Sequence, residues 1–164
     1  MDNKINSKKT AEYAVFANME EYMPVIKEQL SSGNSVEFAP TGTSMLPLIK
    51  EGRDSVILSP VQRVLKKYDI PLYRRENGKY ILHRVVGFSD GCYIMSGDNQ
   101  DSYERGITHD SVVAVATAIR RNGKLILLKG CKYRLYSIFV HRRRQIRNIL
   151  KRALRWLKRR LSVK

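Results

Sequence analysis

Lys79-Tyr-Ile-Leu-His-Arg-Val-Val-Gly-Phe-Ser-Asp-Gly-Cys-Tyr-Ile-Met-Ser-Gly-Asp-Asn99 is the stretch from which the fold class is read. Lys79–Leu82, Arg84–Val86 and Tyr93–Met95 are short runs rich in β-branched and aromatic residues. Ser89-Asp-Gly91 and Gly97-Asp-Asn99 are turn signals that bound them. The same pattern continues outward in Ser35–Phe38, Ser55–Leu58, Val112–Thr117 and Lys124–Leu128, with further turns at Glu76-Asn-Gly78 and Arg121-Asn-Gly123. Many short strands with tight turns predict a mainly β unit over residues 35–130, an antiparallel sheet or barrel. A length of 164 residues with 43% hydrophobic content suits one domain with one modest core, and no repeat appears.

Helical patterns flank this unit. In residues 1–34, Tyr13, Phe16, Met19, Met23, Ile26 and Leu30 recur at spacings of three and four, the period of a helix with one apolar face. Pro24 predicts a break into two shorter helices, and Ser31-Ser-Gly-Asn34 ends the segment. In residues 131–164, Ile146, Ile149, Leu150, Leu154, Leu157 and Leu161 share one helical face, with Trp156 near its boundary. This last segment carries 13 Lys and Arg and no acid, whereas the first 130 residues hold 18 basic against 15 acidic residues. The net charge of +16 is therefore a property of a basic amphipathic helix. Such a helix suits a membrane surface, where anionic headgroups attract roughly 1 kcal/mol per cation. It also suits nucleic-acid phosphates, or a stripe packed on its own domain.

Other classes find no support. The polar N-terminus is not followed by the apolar core of an export signal. Stretches such as Ser137-Ile-Phe-Val140 fall far short of the roughly 20 residues needed to span a bilayer. Cys92 and Cys131 form no Cys-x-x-Cys pair and have no His at ligand spacing, so they read as ordinary, partly buried thiols and no metal or organic cofactor is implied.

The segment Thr41-Gly-Thr-Ser-Met-Leu-Pro-Leu48 follows a predicted strand, and its Gly and Pro force a turn that would hold Ser44 at a loop edge. A serine hydroxyl needs an adjacent base to attack a carbonyl at neutral pH. Of the three histidines, His83 sits amid Leu82, Val85 and Val86, where a titratable ring needs a partner, and its ordinary pKa near 6.5 suits proton transfer. Asp98 is the candidate to orient it. His109 and His141 read as solvent-exposed, and Asp101 and Glu104 as loop charges, although an acid just after Gly-Asp-Asn could replace Asp98. Singly, Ser44 and Asp98 read equally well as turn residues, and His83 as a satisfied strand histidine.

Taken together, Gly42-Thr-Ser-Met-Leu-Pro47, Tyr68-Asp-Ile70, His83-Arg-Val-Val-Gly87 and Gly97-Asp-Asn99 stand in the order of type I signal peptidase motifs. Over residues 36–120 the chain resembles the S24/S26 peptidases, specifically the Ser–His signal peptidases of the endoplasmic-reticulum and archaeal type. The resemblance implies a serine endopeptidase with a catalytic domain at 35–130. Ser44 would be its nucleophile, His83 its general base and Asp98 its supporting acid, with a leader-type peptide or protein as substrate. It implies an oxyanion site at the Ser44 N–H, with Thr41 or Thr43 as second donor. Two departures are Gly52-Arg-Asp54, where the family usually has Gly-Asp, and the lack of its usual membrane-spanning helix. The analogy favours the membrane surface for the basic helix, and the absence of an export signal favours the cytoplasm. The S24 branch includes self-cleaving repressors, so a regulatory, nucleic-acid-binding protein is the alternative, and an inactive peptidase fold is another.

Overall fold

A computed structural model of the protein describes residues 19–161. Two of the turn signals become hairpins in which both residues of the pair take positive φ: Asp90 and Gly91 at 51° and 74°, Asn122 and Gly123 at 48° and 76°. That pairing is the mirror-image turn that matches strand twist, and Gly accepts it without steric cost. Nine strands result: β1 (Val36–Phe38), β2 (Asp54–Ser59), β3 (Pro71–Arg74), β4 (Tyr80–Leu82), β5 (Arg84–Ser89), β6 (Cys92–Ser96), β7 (Glu104–Ile107), β8 (Val112–Arg121) and β9 (Lys124–Leu127). A 3-10 turn at His109–Ser111 leads into β8, and helices α1 (Met19–Ser31) and α2 (Gly130–Leu161) flank the strands.

All pairings are antiparallel. The larger sheet runs β1-β2-β8-β3-β4, and a smaller sheet runs β5-β6-β7. Strand β8 is the spine: β2 lines one edge, while β3 and β9 share the other. The sheet stays open, with β1 and β4 at its edges, so the barrel alternative is not realised. Successive residues of β3 feed two cores, as strand alternation requires. Leu72 joins the cluster capped by Met23, Ile26 and Leu30 of α1, and Tyr73 joins Val85, Tyr93 and Met95 from the smaller sheet.

Several expectations are revised. Over the described residues helix α1 runs through Pro24 without a break, since a proline removes only one of the helix's backbone bonds. Tyr13 and Phe16 lie outside the described residues, as do the side chains of Met19, Trp156, Leu157 and Leu161. The run Tyr80–Val86 is not one strand, because His83 stands alone between β4 and β5, where the chain passes from the larger sheet to the smaller. His141 is half-buried against the Tyr68 ring rather than fully exposed. Cys92 is half-buried and Cys131 exposed.

The two sheets and α2 meet at Arg84, which is 1% exposed. Its guanidinium grips Asp98 with two bonds of 2.7 Å, and its Nη1 donates to the Tyr133 hydroxyl at 2.6 Å, the Ser137 hydroxyl at 2.8 Å and the Tyr68 carbonyl at 3.3 Å. Tyr133 itself donates to that same carbonyl at 2.7 Å, and Val140 one turn further on is buried. The expected division at 130/131 is therefore no break in the packing, since the first turns of α2 complete the core. A chain ending at Gly130 should lose at least about 3 kcal/mol of stability, from the missing bonds to a buried cation and the uncovered apolar surface. Urea denaturation measures it, and an unchanged midpoint would mean that α2 contributes nothing.

Candidate active site

The Ser44 turn is held from both sides. Met45 and Ile49 plug into the larger core, joined by the Ile49 N–H to the Met45 carbonyl at 3.0 Å. From the opposite side, the Asn99 N–H donates to the Ser44 carbonyl at 2.8 Å and the Asn99 amide to the Thr43 carbonyl at 3.3 Å. Gly97 permits this approach: a Cβ there would lie 2.6 Å from the Ser44 carbonyl oxygen and 3.1 Å from its Cβ. The Gly-Asp-Asn motif thus divides its labour. Gly97 makes room, Asn99 clasps the turn, and Asp98 turns inward to Arg84.

Ser44 is half-buried and opens on a cleft of about 220 Å³ whose lining also includes His83. His83 is 2% exposed. Its Nδ1 lies 3.0 Å from Glu104 Oε1 and 3.3 Å from the Tyr73 hydroxyl. Glu104 also accepts from the Tyr73 hydroxyl at 2.9 Å and from Arg75 at 2.7 and 2.5 Å. With an ionised carboxylate against Nδ1, that nitrogen carries the ring proton and Nε2 keeps the lone pair. Among the described residues, neither Nε2 of His83 nor the hydroxyl and N–H of Ser44 has a hydrogen-bond partner, and the two side chains are not bonded to each other.

The carboxylate in contact with the His83 ring is therefore Glu104, and Asp98, expected there, bonds Arg84 instead. Both Asp98 oxygens are committed to Arg84, the neighbour of His83 in sequence. Glu104 was legible only as an acid shortly after Gly-Asp-Asn. Its strand, Glu104-Arg-Gly-Ile107, carries one apolar residue and gives no strand signal. Arg75 was also missed, and so was Gln100, whose amide carbon and the Ser44 Cβ both lie within 3.2 Å of the point where a Gly97 Cβ would stand. Of the two threonines considered as donors, Thr41 lines the cleft and Thr43 does not, while the Gly42 N–H is spent on Glu51 at 2.8 Å. Asp101 pairs with Arg147 of α2, and exposed His109 meets the Tyr93 hydroxyl at 2.8 Å.

Electrostatics favour a neutral base. Burial pushes the His83 pKa below its ordinary 6.5, and Arg75 adds to this, outweighing the opposing pull of Glu104. Burial alone would raise the Glu104 pKa, but the bonds from Arg75 and Tyr73 and the nearby His83 hold it below the usual carboxylate range. Burial, then Glu104, drives the Tyr73 hydroxyl well up, so it stays a donor.

No protein-family model matches the chain, and no curated protein or solved structure matches it.

Because the folded His83 binds its proton less tightly than the unfolded ring, its neutral form contributes stability that is complete above about pH 6.5 and is lost as pH falls below it. NMR titration of the imidazole should give a pKa below 6.5 in the native chain. Glu104→Gln, which removes the one strong opposing charge, should lower it further. A native value above 6.5, or a rise in Glu104→Gln, contradicts this arrangement.

Proposed function

We propose that the protein is a serine endopeptidase of signal-peptidase type, cleaving a peptide bond through an acyl-enzyme on Ser44. The observation that carries this reading is that Ser44 and His83 line one cleft while a carboxylate fixes the far nitrogen of the imidazole. The motif order of the sequence supports the same assignment. In the reaction, His83 Nε2 takes the Ser44 hydroxyl proton as Oγ attacks the scissile carbonyl. The tetrahedral oxyanion collapses, the C–N bond breaks, and the amine leaves with the proton from His83. Water, deprotonated by the same nitrogen, then hydrolyses the ester and restores Ser44.

Glu104 stabilises the transient imidazolium and holds the ring's orientation, the part played by the acid of a catalytic triad. The Ser44 N–H is available to the oxyanion, with the Thr41 hydroxyl or the Gln100 amide as second donor. Nothing in this scheme calls on a metal or organic cofactor. Among the described residues no helix is long and apolar enough to cross a bilayer, and the reading carries with it the expectation of a cytoplasmic protein peripheral to the membrane.

A proteome-derived peptide library, digested and read by mass spectrometry of new N-termini, tests the reading without a known substrate. The native chain should generate a consistent set of cleavages. Ser44→Ala and His83→Ala should each reduce them by about a thousandfold or more, with the double variant little worse, because the two act as a unit. Cleavage that persists in Ser44→Ala overturns the assignment.

A further inference from the structure

Helix α2 has two unlike faces. Tyr133, Ser137, Val140 and Arg147 meet the domain, through Arg84, the core and Asp101. Leu135, Phe139, Ile146, Ile149, Leu150 and Leu154 are exposed at 58–67%. At about 100° per residue the second set lies along one side of the helix, centred on the order of 120° from the first and interrupted between Phe139 and Ile146 by the exposed Arg142 and Arg143. At that exposure the stripe is turned to solvent and is not packed on the chain's own core. An apolar stripe of this length left in water needs a partner.

Charge identifies that partner. Residues 131–164 carry 13 cations and no acid, so a second copy of the helix would meet like charge along its whole length. A nucleic acid would answer the charge but leave the stripe uncovered. An anionic lipid surface answers both, taking the stripe into the acyl boundary and the cations into the headgroups. With 32 residues, or about 48 Å of helix, the segment is long enough to lie in the interface as an extended contact.

We infer that α2 is an in-plane binding surface for anionic membranes, seated through the Leu135–Leu154 stripe. The inference stands apart from the peptidase reading. It adds one consequence to it: Leu46, Pro47, Val140, Arg143 and Arg147 line one small cavity, so the Ser44 turn packs beside this helix and is held close to the lipid surface.

Co-sedimentation of the full chain with vesicles tests it, comparing phosphatidylcholine alone with an equal mixture of phosphatidylcholine and phosphatidylglycerol. Binding to the mixed vesicles should exceed binding to the neutral ones by about tenfold or more and should weaken in high salt. Ile146→Ser with Leu150→Ser changes no charge and alters only exposed positions, so circular dichroism should be unchanged. This variant should lose most vesicle binding while keeping its salt-sensitive affinity for duplex DNA. Running both proteins on a Ser44→Ala background separates lipid binding from any catalytic result. The inference is overturned if the native chain ignores the mixed vesicles, if the serine variant binds them as well as the native chain, or if native chains form a dimer that the serine substitutions dissolve.

Discussion

The buried bidentate pair of Arg84 and Asp98 is the interaction on which the rest of the structure depends. Two charges taken out of water cost several kcal/mol each unless every donor and acceptor is answered, and here they are answered with some completeness. Asp98 takes a bond from Nε and one from Nη2, and Tyr133, Ser137 and the Tyr68 carbonyl surround Nη1. Tyr68 reaches this position at φ 82°, a strained setting for a non-glycine residue, stabilised by its N–H bond to the Val85 carbonyl at 2.8 Å. One guanidinium thereby ties together the start of β5, the Tyr68 turn, the Gly-Asp-Asn loop and α2. Because Gly97 and Asn99 flank Asp98, the one giving room to the Ser44 turn and the other bonding its carbonyl, the position of Ser44 follows from a pair that never touches it.

A second acid, Glu104, occupies the place beside His83 that the sequence assigns to Asp98. His83 and Arg84 are adjacent in sequence, at the junction of β4 and β5. Each takes its own carboxylate, Asp98 from the loop for Arg84 and Glu104 from β7 for His83. The Glu104 charge is shared with Arg75, so the imidazole is oriented without being driven to protonate. An acid free of that arginine would hold the histidine charged nearer neutrality, a poorer state for a base.

How much of this was legible depends on where each signal lies. Hairpins with Asp-Gly and Asn-Gly turns, and alternating runs such as those of β2 and β8, are local and were read directly. Strand β3 was hidden by Pro71 at its start, and β7 by its near lack of apolar residues. Their assignment rests on ladders to β8 and β6 that are distant in sequence. Ser44 and His83 were singled out by the joint order of the motifs around them, since a forced turn and a polar ring among aliphatics read singly as structural, and the structure brings both to one cleft. The Asp98 role was missed because spacing cannot choose between two basic neighbours as the partner of one carboxylate. The amphipathic pattern of α2 was legible, but a helical wheel does not say which face meets the domain. Only the contacts of Tyr133, Ser137 and Arg147 place the stripe outward.

Pro24 offers a smaller lesson of the same kind. Its local signal for a break is real, yet three buried residues of α1 on one face hold the helix across it, and tertiary packing outweighs one missing bond. The central claim, that His83 activates Ser44, is tested most directly by the rate at which a fluorophosphonate labels the protein, followed by intact mass and peptide mapping at neutral pH. The account predicts a single adduct on Ser44, formed about a thousandfold or more slowly in His83→Ala. An adduct on another residue, or labelling of Ser44 at an unchanged rate in His83→Ala, would contradict it.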